Sequence, residues 1–275
     1  MDQQSIELDP RQFRQMRAEG RGLGHGKDYK SWIFAASTKP YGNKTRWIGR
    51  ITGREHQVLS DPEYYAGNII DFSPQVTDIR EQYPLWPIEE TLEIGHALGV
   101  EHPNKRRKGS KAKYIVMTTD FVIDVESNRG TVSVARAVKK HRDLEDPRVL
   151  EKLEIERIYW ERRGIDWGII TDQDYDETMA TNIAEVIRPH RTLEGRMNLP
   201  DSELKRLSRE LTEMVQERDE PLSAILREFE RRNNIPQGEA ISLPWFLIAN
   251  RHWTVDLCKK LDPFQKIELI STNIE

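Results

Sequence analysis

The chain is 275 residues long, 32% charged and 37% hydrophobic, with a formal charge of −4 from 42 Lys and Arg against 46 Asp and Glu. That length suits one large or two modest domains, and seven Trp, eight Tyr and seven Phe supply cores that exclude wholesale disorder. No apolar run approaches the roughly 20 residues that span a bilayer, and Cys258 as the only cysteine excludes a disulfide scaffold or a Cys-based zinc site within the chain.

The opening MDQQSIELDPRQFRQ has no basic segment leading into an apolar one, so no signal peptide is expected and the reducing cytoplasm is the natural home. The acidic balance argues against autonomous grip on nucleic acid by bulk electrostatics, leaving only local basic patches. Residues 1–175 carry 28 basic and 28 acidic side chains, and residues 176–275 carry 14 and 18, so charge marks no domain boundary. Texture does. An alternation of short β-rich runs, turns and helices gives way near residue 176 to helices, which sets expected domains at 1–175 and 176–275.

In chain order, a polar helix (10–19) precedes the glycine-dense EGRGLGHGKDY (19–29), read as a flexible connection. SWIFAAS (31–37) and TRWIGRITG (45–53) are strand-like by aromatic and β-branched content. Ser60 to about Ile70 reads as a helix, VTDIREQYPL (76–85) as an extended segment, and IEETLEIGHALGV (88–100) as an amphipathic helix. NKRRKGSKAK (104–113) is a basic loop. YIVMTTDFVIDV (114–125) and TVSVARAVK (131–139) form a hairpin through SNRG. DPRVLEKLEIERIYWERRG (146–164) is a strong helix, with Pro147 near its start and Gly164 as its stop. IDWGIITD (165–172) is a short apolar strand expected at the centre of a sheet. Helices follow over 178–187, 201–218 and 221–234, and EAISLPWFLIANRHWTVDL (239–257) reads as a terminal β-hairpin turning at NRHW. Three helices and a hairpin is the winged-helix order, a weak signal because the fold is common.

The pattern that carries chemistry is a helix carboxylate, Glu63, then a strand carboxylate, Asp120, then Lys139 one strand later. Alternate strand residues share a face, so Ala137 and Lys139 point the same way. Asp120 sits in an apolar run where a charge needs a reason. Two converging carboxylates can hold a hard divalent cation, and a lysine beside them can orient a water or offset charge at a phosphate. Each residue also has an ordinary reading. Ser60-x-x-Glu63 is a capping box, Asp120 and Asp124 can face solvent together, and Lys139 beside Lys140 can be an exposed strand end. Only jointly and in this order do they point to a nuclease.

Other features carry less. GRGLGHG lacks the flanking strand and helix of a dinucleotide fingerprint and the GK[ST] ending of a phosphate loop. The seven His show no zinc spacing, and Cys258 reads as inert. Glu151, Glu154, Glu156 and Glu161 spread over several faces of one helix, and Glu156 alone is a candidate for the metal side. Lys105, Arg106, Arg107, Lys108, Lys111 and Lys113 make the basic loop either a DNA-backbone contact or a solvated loop.

Several segments resemble TnsA, the endonuclease family of heteromeric Tns-type transposases: EGRGLGHGKDY (19–29), LSDPE (59–63), DIREQYPL (78–85), MTTDFVID (117–124) and LEKLEIERIYWERRGIDW (150–167). They span most of residues 10–175 in the family's order, whereas the last 100 residues resemble it only in length and helical character. The resemblance implies an α/β protein with a restriction-endonuclease-like N-terminal domain, its mixed sheet flanked by helices, and a mostly helical, winged-helix-like C-terminal domain. It implies that Glu63 and Asp120 bind one or two catalytic Mg2+ ions and that Lys139 is the active-site lysine. The family's usual Gln-x-Lys reads Ala137-Val138-Lys139 here, which leaves a backbone carbonyl of Ala137 or Val138 as the replacement metal ligand. The implied activity is cleavage of the non-transferred strand at the 5′ ends of a transposon. Its implied partners are transposon-end DNA, a TnsB-like DDE transposase, and a TnsC-like AAA+ regulator docking on the C-terminal domain, with no membrane involved. The alternative is a weakened or inactive adapter of the same fold; a stand-alone restriction enzyme fits the fold but not the segments.

Overall fold

A four-stranded mixed sheet in the order β3-β6-β7-β8 organises the first part of the chain. The computed structural model describes residues 10–33, 45–105, 113–196 and 200–274, of which Pro10–Ala18 form α1. The strands are β1 (Thr45–Ile48), β2 (Glu55–Val58), β3 (Val76–Pro84), the two-residue β4 (Asn104–Lys105) and β5 (Lys113–Tyr114), β6 (Thr118–Ser127), β7 (Gly130–Lys139) and β8 (Asp166–Thr171). The helices between them are α2 (Asp61–Phe72), α3 (Ile88–Leu98) and α4 (Pro147–Glu161). β3 and β7 run antiparallel to β6, and β8 joins β7 in parallel after the α4 crossover, as a parallel neighbour requires.

Period-two burial splits the sheet into two apolar faces. Val122 and Ala135 pack with Leu85, Ile94, Ile155, Tyr159 and Trp160 under α3 and α4. Phe121, Ile123, Val138 and Ile79 pack with Trp47, Val58 and Ala66, beneath α2 and the β1–β2 hairpin. A sheet covered on both sides has room for a charged group only where something compensates it.

The helices at 60–70, 88–100 and 146–164 and the extended run at 76–85 are present near their expected limits, and so is the hairpin through SNRG, except that its first strand begins at Thr118 and not at Tyr114, which pairs with Asn104 instead. Other readings in this part of the chain need correction. IDWGIIT is an edge strand of the described sheet, not a central one: no described strand pairs beyond it, and its apolar side chains find cover in the flanking layers, Trp167 against the α4 cluster and Ile170 against the α2 cluster. Residues 31–33 are not strand, and the rest of SWIFAAS lies outside the described residues. Strand β1 ends at Ile48, well short of Gly53, because the chain turns there into β2. The glycine-dense segment is not a loose connection. Gly26 N–H donates to Asp78 Oδ1 at 3.0 Å, Tyr29 hydroxyl donates to the Glu81 carbonyl at 3.0 Å, and Gly22, at φ +69°, has Pro84 Cγ 2.3 Å from where a Cβ would stand. Only glycine fits that approach.

Contacts divide the chain into two units, residues 1–174 and 175–275. The second contains α5 (Glu177–Arg196), α6 (Asp201–Glu217), α7 (Leu222–Asn233) and α8 (Ser242–Ala249), with β9 (Trp253–Thr254) pairing antiparallel to β10 (Ser271–Thr272). The terminal hairpin expected over 239–257 is absent. SLPWFLIA is a helix whose Leu243, Leu247 and Ile248 are buried, and an apolar run this short has no period by which to tell a buried helix from a strand. No helix among the described residues is long and apolar enough to cross a membrane.

Candidate active site

Glu63 stands in the first turn of α2, where Ser60 is the N-cap. Ser60 Oγ accepts from Glu63 N–H at 3.4 Å and donates to Glu63 Oε1 at 2.8 Å, while Leu59 N–H donates to Oε2 at 3.0 Å. Ser60 therefore caps the helix as expected, and Glu63 reaches back to the Leu59 N–H and the Ser60 hydroxyl, one residue short of a strict capping box, which pins the buried carboxylate. Asp120 lies near the start of β6 and Lys139 ends β7, two antiparallel neighbours. Asp120 Oδ2 accepts from Val138 N–H at 2.7 Å and from Lys139 Nζ at 2.8 Å. Lys139 Nζ also donates to the Val138 carbonyl at 2.7 Å, so that carbonyl lies at the same spot. Ala137 is wholly buried and presents a methyl group only.

Two further side chains join them. Glu156, in the middle of α4, is buried and accepts from Trp167 Nε1 at 3.0 Å. Gln82, on β3, places Nε2 3.1 Å from Glu63 Oε2 and 3.5 Å from Asp120 Oδ1. Thr118 Oγ1 donates to Gln82 Oε1 at 3.1 Å. Sequence reading missed Gln82. The available signal was parity: Asp78, Arg80 and Gln82 alternate along β3, giving a strand with polar residues on a face that must be covered.

Electrostatics mark the same point. Burial, then repulsion from Asp120, pushes the Glu63 carboxyl up to about 7, against the pull of the Leu59 N–H and the Ser60 hydroxyl. Burial and Asp120 likewise push Glu156 up to about 7. Burial opposes the Lys139 charge, but Asp120, Glu156 and Glu63 outweigh it and hold its pKa well above the ordinary lysine value. Three carboxyls thus crowd one ammonium. A cluster of hard oxygen donors with excess negative charge fits a divalent cation such as magnesium. Glu63, Asp120 and Glu156 are the side chains available to hold it.

Asp124, four residues along β6, takes a different partner. It pairs with the Arg80 guanidinium and accepts from Ser133 Oγ at 2.5 Å. His25, Asp78 and Asp124 bring one ligand atom each within 4.8 Å of one another, but Arg80 already supplies that group's countercharge. Of the basic loop, Lys105 and Lys113 pair across β4 and β5, and Arg106, Arg107, Lys108 and Lys111 lie outside the described residues.

Comparison with known proteins places both parts of the chain. Residues 73–172 match the family model for the TnsA-like endonuclease N terminal, and residues 174–257 match that for the TnsA endonuclease C terminal. Asp120, Lys139, Glu156 and Gln82 fall within the first match, and Glu63 precedes it. The transposon Tn7 transposition protein TnsA of Escherichia coli is 39% identical over 165 residues, which is 60% of this chain and 58% of that relative. The chain thus aligns with little more than half the length of that relative.

Proposed function

Because the chain belongs to the TnsA endonuclease family, we propose that it is a magnesium-dependent DNA endonuclease that cuts the non-transferred strand at the 5′ ends of a transposon. The single observation that carries this reading is the meeting of Glu63, Asp120, Lys139 and Glu156, from two helices and two strands, at one buried point. Isolated structural carboxylates do not need one another, whereas metal-assisted hydrolysis needs them together.

When bound there, magnesium supplies Lewis acidity at the phosphate and a water of lowered pKa. Glu63, Asp120 and Glu156 would hold it, with the Val138 carbonyl beside them. Lys139 stays protonated, because the carboxylates favour its charge. Its role is therefore electrostatic: it donates toward the scissile phosphate and offsets charge that builds in the transition state. A lysine held this way is a poor general base. The enzyme acts in the cytoplasm on transposon-end DNA, with a TnsB-like DDE transposase joining the other strand and a TnsC-like AAA+ regulator contacting the C-terminal unit.

Glu63→Ala, Asp120→Ala and Lys139→Ala test the reading in a reconstituted transposition assay. Each should abolish 5′-strand cleavage while 3′-end joining continues, so that cointegrates replace simple insertions. Simple insertions from all three variants would sink the catalytic assignment. The rival, a non-catalytic adapter of the same fold, draws on the bare methyl of Ala137 beside Lys139. It expects no cleavage from the wild-type chain either.

A further inference from the structure

We infer that Gln82 is a positioning residue of this site, holding the Glu63 and Asp120 carboxylates in the separation a divalent cation requires. The inference rests on the metal-site reading above and assigns a role to a side chain outside the carboxylate and lysine set.

Three observations carry it. First, the backbone of Gln82 is strained. Its φ is +49°, a left-handed conformation that a long side chain rarely adopts and that persists where surrounding contacts over-determine it. The ladder pairs Glu81 with Phe121 and Tyr83 with Thr119, which sets Gln82 opposite Asp120. Its own carbonyl accepts from Trp32 N–H at 3.3 Å, outside the sheet. Second, the side chain is 2% exposed, so its amide has been taken from water and must be satisfied within the protein. Third, it is satisfied by the site itself. One amide nitrogen reaches both carboxylates, and the Thr118 hydroxyl occupies the amide oxygen. The opposite amide orientation would set that oxygen against two carboxylate oxygens, so the carboxylates themselves fix the donor end inward, and the Thr118 hydroxyl satisfies the end left over.

An amide nitrogen is neutral but presents two N–H dipoles. Placed between two carboxylates, it offers both a donor and aims them at a common point before a cation arrives. Groups that orient ligands in this way typically alter metal affinity 10- to 100-fold when removed. Strand β7 offers no substitute at Ala137, which, on the Lys139 face, carries a methyl group alone.

Titration calorimetry with Mn2+ on the full chain tests this, with Glu63→Ala and Asp120→Ala as references and thermal melting in parallel. Gln82→Ala should weaken Mn2+ binding about 10-fold or more and lower kcat for cleavage while leaving KM for transposon-end DNA in place. Gln82→Gly removes the same amide but relaxes the left-handed backbone. It should melt above Gln82→Ala and bind Mn2+ no better. If Mn2+ affinity instead follows melting temperature across the two variants, Gln82 is a structural residue and the inference falls. If both references lose Mn2+ binding and Gln82→Ala keeps it, the inference falls alone. If the references keep it too, the metal-site reading falls with it.

Discussion

Glu63 does two things with one carboxylate. It braces the start of α2 through the Ser60 hydroxyl and the Leu59 N–H, and it stands in a group with Asp120, Glu156 and Lys139. Both Glu63 and Glu156 are raised from 4.5 to about 7. A carboxyl with a folded pKa above its unfolded one binds its proton more tightly when folded. Its contribution to stability is therefore complete below about pH 4.5 and is lost as pH rises through about 7. The chain in chelator should melt progressively lower between about pH 5 and 8, by up to about 3 kcal/mol for each carboxyl. Glu156→Gln should flatten that slope. A wild-type melting profile in chelator that climbs over this range would contradict the placement of these carboxyls. Glu81 has the opposite sign. Burial raises its pKa, but hydrogen bonds from His56 and Arg54 outweigh it and hold it near 2, so its contribution persists above about pH 4.5 and fades only toward pH 2.

The elements set which side chains can meet. Helix α2 begins where it does because Ser60 caps it and Pro62 suits its first turn, and that start delivers Glu63 to the end of the sheet. Ser60→Ala should cost about 1 kcal/mol of stability. It should also lower cleavage by more than that loss explains, since the same hydroxyl donates to Glu63 Oε1. Urea unfolding and strand cleavage measured on one preparation separate the two, and unchanged cleavage would confine Ser60 to capping. Helix α4 brings Glu156 inward on a face it shares with Leu153, Tyr159 and Trp160, while Glu154 and Glu161 pair with Arg157 outside. Of the four glutamates on this helix, Glu156 was the sequence's one candidate for the metal side, and the sheet the helix packs on buries it.

At the scale of the whole molecule, a charge of −4 leaves DNA contact to local patches. The basic loop is the strongest candidate in the sequence, and Lys105 and Lys113 stand opposite each other at its base. Neutralising Lys105, Arg106, Arg107 and Lys108 together should weaken DNA binding and reduce its salt slope by up to about 0.9 per lost phosphate contact. Binding to a transposon-end duplex across a salt series checks this, and an unchanged slope removes the loop from the contact surface. On the function proposed above, the wild-type chain alone should bind that duplex weakly and gain affinity when a TnsB-like transposase is added.

The sequence by itself determined the elements whose signals are local. The alternation in β6 and β7, the turn between them, the Ser60 cap and the Pro147-to-Gly164 helix all depend on residues close together in the chain. It also singled out Glu63, Asp120 and Lys139, by their joint order and by the family resemblance, with Asp120 alone standing in an apolar run. It misjudged SLPWFLIA, whose apolar run has no readable period, and the glycine-dense segment, whose order comes from Asp78, Glu81 and Pro84 more than 50 residues away. Only the tertiary structure gave Asp124 its own partner in Arg80, buried Glu156 near Asp120 and brought in Gln82. Those choices depend on which face of the sheet is covered and on the register of β3 against β6, distances that no stretch of sequence contains.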